Sequence, residues 1–324
     1  MKAALCKRLD GPEALVVEEI ADPVPGPGEV VVRVRAAALN FFDTLITRGK
    51  YQTKPDLPFS PSGEIAGVVE ALGPGVAGVS VGDRVAAAVG YGGAREKIAI
   101  PAASLIPIPA NVSDEVASGV SVTFGTAIHG LKDRGRVAAA ETVAVLGASG
   151  GAGQAAVEIA KLMGARVIAA ASGDKVDICR ALGADEVIDY DAVDLKQTLK
   201  ELTGNRGVDV VYDCVGGKYA EPAVRALAWE GRFLVVGFAA GDIPKLPLNL
   251  LMLKGADAVG VFWGEAVRRN PDRHRENMIE VLRWVSEGKL APRIHGTYPL
   301  EEIREAIGVL DRREATGKVV VTFD

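Results

Sequence analysis

Seven residues carry the first chemical signal. Positions 147–153 read GASGGAG, after the apolar run TVAVL and before QAAVEIAKLMGARVIAAA. A glycine loop that opens a helix is suited to phosphate, because the first helical N–H groups lack partners and the helix dipole is positive there. Two phosphate ligands compete for such a loop. A nucleoside-triphosphate loop needs lysine and then serine or threonine directly after its last glycine. Here Gly153 is followed by Gln154, Ala155 and Ala156, which removes that reading. The dinucleotide reading fits the setting, with a strand before the loop and a helix and strand after it. In register, the three special positions are Ala148, Gly150 and Gly153, so the strict first glycine is replaced by alanine. Gly150 leaves room for a pyrophosphate to approach the backbone, and Gly153 lets the helix pack closely on the strand.

The end of the next strand separates the two dinucleotides. An acidic residue there binds the ribose diol of NAD. The segment ARVIAAASGDK instead presents Ala171 and Ser172, with Lys175 close behind. A hydroxyl and an ammonium favour a 2′-phosphate, so NADPH is expected ahead of NADH. Asp174 works against this, since it could cap the following helix or hold a ribose itself.

The metal-ligating residues are sparse. His129, His274 and His295 show no ligand-like spacing, and Cys6, Cys179 and Cys214 form no CxxC pair. Neither a metal centre nor a disulfide scaffold is expected. Reduction would then proceed by hydride transfer without a Lewis acid. A quinone or an activated C=C suits such chemistry, because charge spreads onto a conjugated oxygen and modest hydrogen-bond donors suffice.

The elements that position these residues fall into two textures. Up to about residue 120 the chain is rich in turns and short strands, such as EVVVRVRAAAL, EIAGVVEALG and GDRVAAAV, and predicts an antiparallel or barrel-like domain. Ser113, followed by Asp114 and Glu115, predicts a helix start, and a second helix is expected to begin near Thr126, which would cap it. From there strands and helices alternate through TVAVLG, ARVIAAA, EVIDY, VDVVYDCVG and RFLVVGF. KYAEPAVRALAWEG is read as one of the intervening helices. Apolar runs without polar alternation indicate strands buried on both faces, and the repeated crossovers predict a doubly wound parallel sheet. A long amphipathic helix, DRHRENMIEVLRWVSEGKL, and a last strand, KVVVTFD, follow; the strand is expected to return to the first domain. With a net charge of -5 and no basic block, a nucleic-acid partner is not expected; RRNPDRHR reads as a solvated helix start. No signal peptide or membrane span is read, so a cytoplasmic protein is expected.

An ordered set of motifs then identifies a family likeness. The segments AAALNFFDTLITRGKY, LPFSPSGEIAGVVEALGPGV, VGDRV, TFGTAIHGL, VLGASGGAGQAAVEIAK, GADEVIDY, GVDVVYDCVGG and ATGKVVV run through essentially the whole chain. The chain resembles the zinc-free, zeta-crystallin-like quinone oxidoreductases of the medium-chain dehydrogenase/reductase superfamily. Where zinc-dependent relatives carry a cysteine ligand this sequence has Asn40, and Gly63 runs directly into Glu64 with no histidine between. Ser62 departs from the glycine usual in the family. The resemblance implies an α/β protein with a GroES-like β-rich catalytic domain, residues 1–122 and 264–324, and a Rossmann domain, residues 123–263, that binds NADPH. It places Asn40 beside the nicotinamide and facing the substrate, has Asp43 order that segment, and has Tyr51 in the cleft near a substrate oxygen. Thr126 is implied as a nicotinamide-side contact. Ala148, Ser149, Gly150, Gly151, Ala152 and Gly153 would hold the pyrophosphate, and Ser172, Lys175 and Tyr190 would surround the 2′-phosphate. Val215, Gly237, Phe238 and Ala239 would lie along the cofactor. Lys318 is implied as a C-terminal cofactor contact, although an exposed strand lysine needs no function.

The activity implied is metal-free hydride transfer from NADPH to a quinone. The alternatives are an NADPH-dependent enone or enoyl-thioester reductase, and a non-enzymatic, nucleotide-regulated RNA-binding protein. A homodimer is implied, joined through a sheet edge near residues 255–262.

Overall fold

The structure is a computed structural model that describes residues 1–324 apart from the side chain of Asp174. The ribose-binding or capping part considered for that side chain therefore lies outside the described residues. The chain forms two compact units, Met1–Val122 with Val267–Asp324, and Thr123–Ala266. In chain order the first unit carries β1 (Lys2–Leu5), β2 (Val16–Glu19), β3 (Glu29–Leu39), β4 (Glu64–Leu72), β5 (Arg84–Ala88), β6 (Lys97–Pro101) and β7 (Ile106–Pro107). The second carries β8 (Thr142–Leu146), β9 (Arg166–Ala171), β10 (Glu186–Asp189), β11 (Val208–Asp213), β12 (Leu227–Val235) and β13 (Asp257–Gly260). The first unit resumes with β14 (Ile294–Pro299) and β15 (Lys318–Thr322).

In the first unit, β14, β15, β3, β4, β5 and β7 lie side by side, with β6 also paired to β3. The long β3 runs antiparallel to both β15 and β4. Its C-terminal end therefore lies beside the starting ends of those two strands. Val30, Val32, Val34 and Ala37 pack with Ile65, Val69, Val85 and Ile98 in one apolar core. The helix Ile303–Asp311 buries Ile303, Ala306 and Ile307 in another, with Leu39, Ile46, Val319 and Val321.

The second unit is an all-parallel sheet in the order β10-β9-β8-β11-β12-β13. This is the doubly wound dinucleotide-fold order, which reverses between β8 and β11. Every residue of β8 is buried, as expected of a strand covered on both faces.

Two local expectations need correction. The helix read into KYAEPAVRALAWEG spans only Ala220–Arg225, and the chain enters β12 at Leu227, opposite Val208. Leu227 and Ala228 bury their side chains in the sheet, while Glu230 takes φ 59 and donates its N–H to the Lys254 carbonyl at 2.8 Å. Tertiary pairing overrides the local helical preference. Thr126 does not start a helix: the α-helix spans Thr123–Ile128 and continues as a π-helical stretch, His129–Arg134. Thr126 is therefore an interior residue and not a cap.

Candidate active site

The glycine loop lies directly after β8, at the point where the strand order reverses. Gly147, at φ 75, makes the tight turn, and an added Cβ there would come within 2.7 Å of Val215. The turn is thus made one residue before Ala148, which is why alanine is tolerated at the position expected to be glycine. The N–H groups of Gly147 and Ala148 both donate to the Ala170 carbonyl, at 2.9 and 3.0 Å, tying the loop to β9.

The helix Gly151–Leu162 follows with Gly150 as its extended N-cap. The loop's glycines serve different needs. A Cβ on Gly153 would sit 2.1 Å from the Gly147 carbonyl oxygen, so this residue permits close packing of helix on turn. A Cβ on Gly150 would meet only that same oxygen, at 3.5 Å, and the space before it is open. Gly150 and Gly151 are exposed, leaving the helix's first N–H groups accessible. Gln154 is buried and donates its side-chain amide to the Ser149 carbonyl at 2.7 Å, which stiffens the loop from inside. The cradle fits the pyrophosphate of a dinucleotide.

Ser172 and Tyr190 directly follow β9 and β10, which are adjacent strands, so both lie at the same end of the sheet. Burial pushes the Tyr190 phenol up to about 12. Its ring lies 4.3 Å, centroid to centroid, from that of Tyr219, whose hydroxyl donates to Asp191. Lys218 stands 4.9 Å over the Tyr219 ring and 3.4 Å from Asp191. Lys175 ends the short 3-10 helix Gly173–Lys175, three residues after Ser172. Tyr219 and Lys218 were missed in the sequence, because only the fold brings the turn after β11 next to the end of β10.

The segments after β11 and β12 are laced together. Asp213 is buried and accepts N–H bonds from Val215 and Gly216, at 2.8 and 2.9 Å; burial nonetheless raises its pKa. Gly237 and Ala239 donate to the Asp213 and Cys214 carbonyls, both at 3.1 Å, and Phe238 packs on Gly216. Val215, Gly237, Phe238 and Ala239 are thereby gathered at the same sheet end as the glycine loop. Thr126 lies on the helix whose first residue, Thr123, would contact a Cβ on Gly151 at 3.3 Å.

In the first unit, the antiparallel arrangement of β15, β3 and β4 brings Asn40, Glu64 and Lys318 together. Asn40 follows the last residue of β3, while Glu64 and Lys318 open β4 and β15. Lys318 is 5% exposed, not the exposed strand lysine considered from sequence. Its ammonium donates to Asn40 Oδ1 at 2.6 Å, Glu64 Oε1 at 2.7 Å and the Leu39 carbonyl at 3.3 Å. Asn40 Nδ2 donates to Glu64 Oε1 at 2.9 Å, closing a ring, and the Val122 N–H holds the other carboxylate oxygen at 2.7 Å. The one signal for Glu64 in the sequence is a carboxylate opening the otherwise apolar EIAGVV.

Asp43 lies wholly buried beside this ring. It accepts the Asn40 N–H and the Ser62 N–H, each at 2.8 Å. Burial pushes its carboxyl up to about 7, against those two bonds and the nearby Lys318 charge. Ser62 has φ 70, which explains the glycine usual in the family there; its hydroxyl bonds with the Ala38 and Glu64 carbonyls at 3.0 Å. Tyr51 stacks on Phe42 at 5.3 Å, and burial raises its phenol pKa. Among the described residues no hydrogen bond joins it to the Asn40 ring, and no three His, Cys, Asp or Glu side chains come together as a metal site.

Residues 26–110 match the alcohol dehydrogenase GroES-like domain, and residues 151–287 the zinc-binding dehydrogenase family. Over 324 residues the chain is 37% identical to the quinone oxidoreductase-like protein 2 homolog of Nematostella vectensis, covering 99% of this chain and 88% of that one. It is 33% identical over 302 residues to a mycocerosic acid synthase-like polyketide synthase of Mycobacterium tuberculosis, covering 92% of this chain and 14% of the synthase. Two solved structures, a mycobacterial quinone oxidoreductase and a mycobacterial protein complexed with NADPH, each superimpose with a TM-score of 0.91 at 30% identity, with both chains covered in full. With the fold, the glycine loop and these likenesses together, the chain belongs to the quinone oxidoreductase family of the medium-chain dehydrogenase/reductase superfamily.

Proposed function

We propose that the protein is an NADPH-dependent quinone oxidoreductase. The observation that carries this reading is the loop 147–153, a backbone cradle built by Gly147 and Gly153 and left open before Gly150. Ser172 and Tyr190, at the ends of adjacent strands, and Lys175 offer hydroxyls and a cation to a 2′-phosphate. The NADPH-bound mycobacterial relative and the quinone oxidoreductase-like relative agree with this choice of cofactor and acceptor class.

When bound, NADPH supplies a hydride from C4 of its nicotinamide. Asn40 and Tyr51 orient the acceptor and donate hydrogen bonds to its oxygen as charge develops there. Asp43 holds the Asn40 backbone, and Val215, Gly237, Phe238 and Ala239 line the cofactor. Reduction of an enone or enoyl thioester would use the same residues and is favoured by the likeness to part of a polyketide synthase.

Kinetics with NADPH and benzoquinone, an alkenal or an enoyl-CoA test the choice. The highest kcat/KM is expected for the quinone. A higher value for the enoyl-CoA establishes the second reading, and turnover of none of the three defeats both.

We further assign a homodimer formed through β13, an edge strand. Trp229, Leu248 and Met252 of the same unit are 71%, 78% and 72% exposed, an apolar surface suited to a second copy. Light scattering that returns only monomer mass contradicts this. Among the described residues no helix is long and apolar enough to cross a membrane. The cysteines Cys6, Cys179 and Cys214 are free, which suits the reducing cytoplasm we assign.

A further inference from the structure

We infer that Lys318 and Glu64 are positioning residues that lock the Asn40 carboxamide in one orientation, leaving a single N–H as donor to the acceptor's oxygen. This rests on the reading that Asn40 meets the acceptor. The argument begins with donor arithmetic. An ammonium has three N–H donors, and those of Lys318 face three acceptors: Leu39 O, Asn40 Oδ1 and Glu64 Oε1. None remains for the cofactor, so the contact implied by family likeness gives way to a role inside the protein.

Asn40 is then defined by its neighbours. Its carbonyl accepts from a cation and one of its N–H bonds goes to a carboxylate. Turning the amide over would set N–H against the ammonium and C=O against the carboxylate, so only one orientation is stable. Glu64 cannot swing away, because its second oxygen is held by the Val122 N–H. The Asn40 backbone is fixed in turn by Asp43. What remains is one amide N–H, on a residue that keeps 8% exposure while Glu64 has none. The ammonium on its carbonyl withdraws electron density and strengthens that N–H as a donor. Negative charge builds on the oxygen of a quinone or enone as it takes up hydride, and a preoriented donor is most effective against charge that develops in the transition state.

The test is a double-mutant cycle with two readouts: kcat with NADPH and benzoquinone, and the NADPH Kd from fluorescence titration. Asn40→Ala and Lys318→Met are each expected to lower kcat by ~10–100-fold. The double variant is expected to be no slower than Asn40→Ala alone, since Lys318 acts through that side chain. The NADPH Kd of Lys318→Met should stay within about two-fold of the parent, a change under ~0.5 kcal/mol.

Two results overturn the inference. A roughly ten-fold weaker Kd on Lys318→Met, seen both in the parent and on top of Asn40→Ala, makes the lysine a direct cofactor contact. Losses in kcat that multiply in the double variant make its role independent of Asn40. A different failure, an unchanged kcat in Asn40→Ala, strikes the proposed role of Asn40 itself. If Lys318→Met does not fold, Glu64→Gln carries the same cycle at nearly constant volume. Lys318→Arg, which retains the cation, should recover part of the lost kcat; recovery no better than with methionine also counts against the inference.

Discussion

The two units prepare for a ligand in opposite ways. In the second, the glycine loop is made of backbone: a positive-φ turn, a helix start packed against it, and exposed N–H groups at the opening. In the first, the Asn40 ring is made of buried side chains, and its two charged members are satisfied by neighbours. A backbone cradle keeps unpartnered donors at the surface, where water satisfies them at little cost. A buried ion pair has no such reserve: removing one partner leaves an uncompensated charge. At its open position, Gly150, the second unit should therefore lose binding before stability, and the ring of the first should lose stability and activity together.

The largest expected effect is on the ring. Glu64→Leu or Lys318→Met alone should cost about 3–5 kcal/mol in urea unfolding, while the double replacement should recover much of it. A single-variant loss below ~1 kcal/mol would erase the contrast between the units.

The glycine loop comes next. Gly153→Ala must displace the Gly147 carbonyl and should cost roughly 1–3 kcal/mol, with NADPH binding lost alongside. Gly150→Ala should leave unfolding within about 1 kcal/mol of the parent while weakening NADPH roughly ten-fold, because its Cβ enters open space. Equal stability losses at the two positions would show that both glycines serve packing alone.

The pH dependence sharpens the same comparison. Asp43 titrates near 3.8 in the unfolded chain and at about 7 when folded. Between those values the folded protein holds a proton that the unfolded chain has released. The contribution from this group is therefore full at low pH and is lost as pH rises toward 7. Asp185 and Asp209, lowered by ion pairs and N–H bonds despite partial burial, act in the opposite sense at lower pH. Asp43→Asn should remove the decline between about pH 4 and 7, measured as the difference between the two unfolding profiles. Parallel profiles would mean that Asp43 stays ionised. The smallest effect belongs to Tyr219→Phe, which loses one exposed hydrogen bond to Asp191 and should cost about 1 kcal/mol or less.

The same contrast explains what could be read from sequence. The glycine loop, its flanking strand and helix, and Ser172 lie within about thirty residues, the span of one strand–helix–strand unit. Short-range spacing therefore reports them. The parallel sheet was legible for a related reason, since strands such as TVAVL and RVIAAA are continuously apolar. The ring joins residues 24, 254 and 278 positions apart. No local pattern spans that, and Lys318 reads as a surface lysine until β15 is set beside β3. Ser62 shows an intermediate case: its departure from glycine was visible, but the φ of 70 and the hydroxyl bonds that accommodate it were not. Thr126 and the segment RALAWEG misled because helix boundaries there follow packing and sheet pairing.

Cofactor choice is the point on which the functional reading most depends, and Lys175 addresses it directly. Michaelis constants for NADPH and NADH, measured with benzoquinone for the parent and Lys175→Ala, test the proposed contact of Lys175 with the 2′-phosphate. The parent should prefer NADPH, and the variant should raise the NADPH KM by roughly ten-fold or more while leaving the NADH KM nearly unchanged. An equal rise for both cofactors, or a parent that prefers NADH, would contradict the assignment.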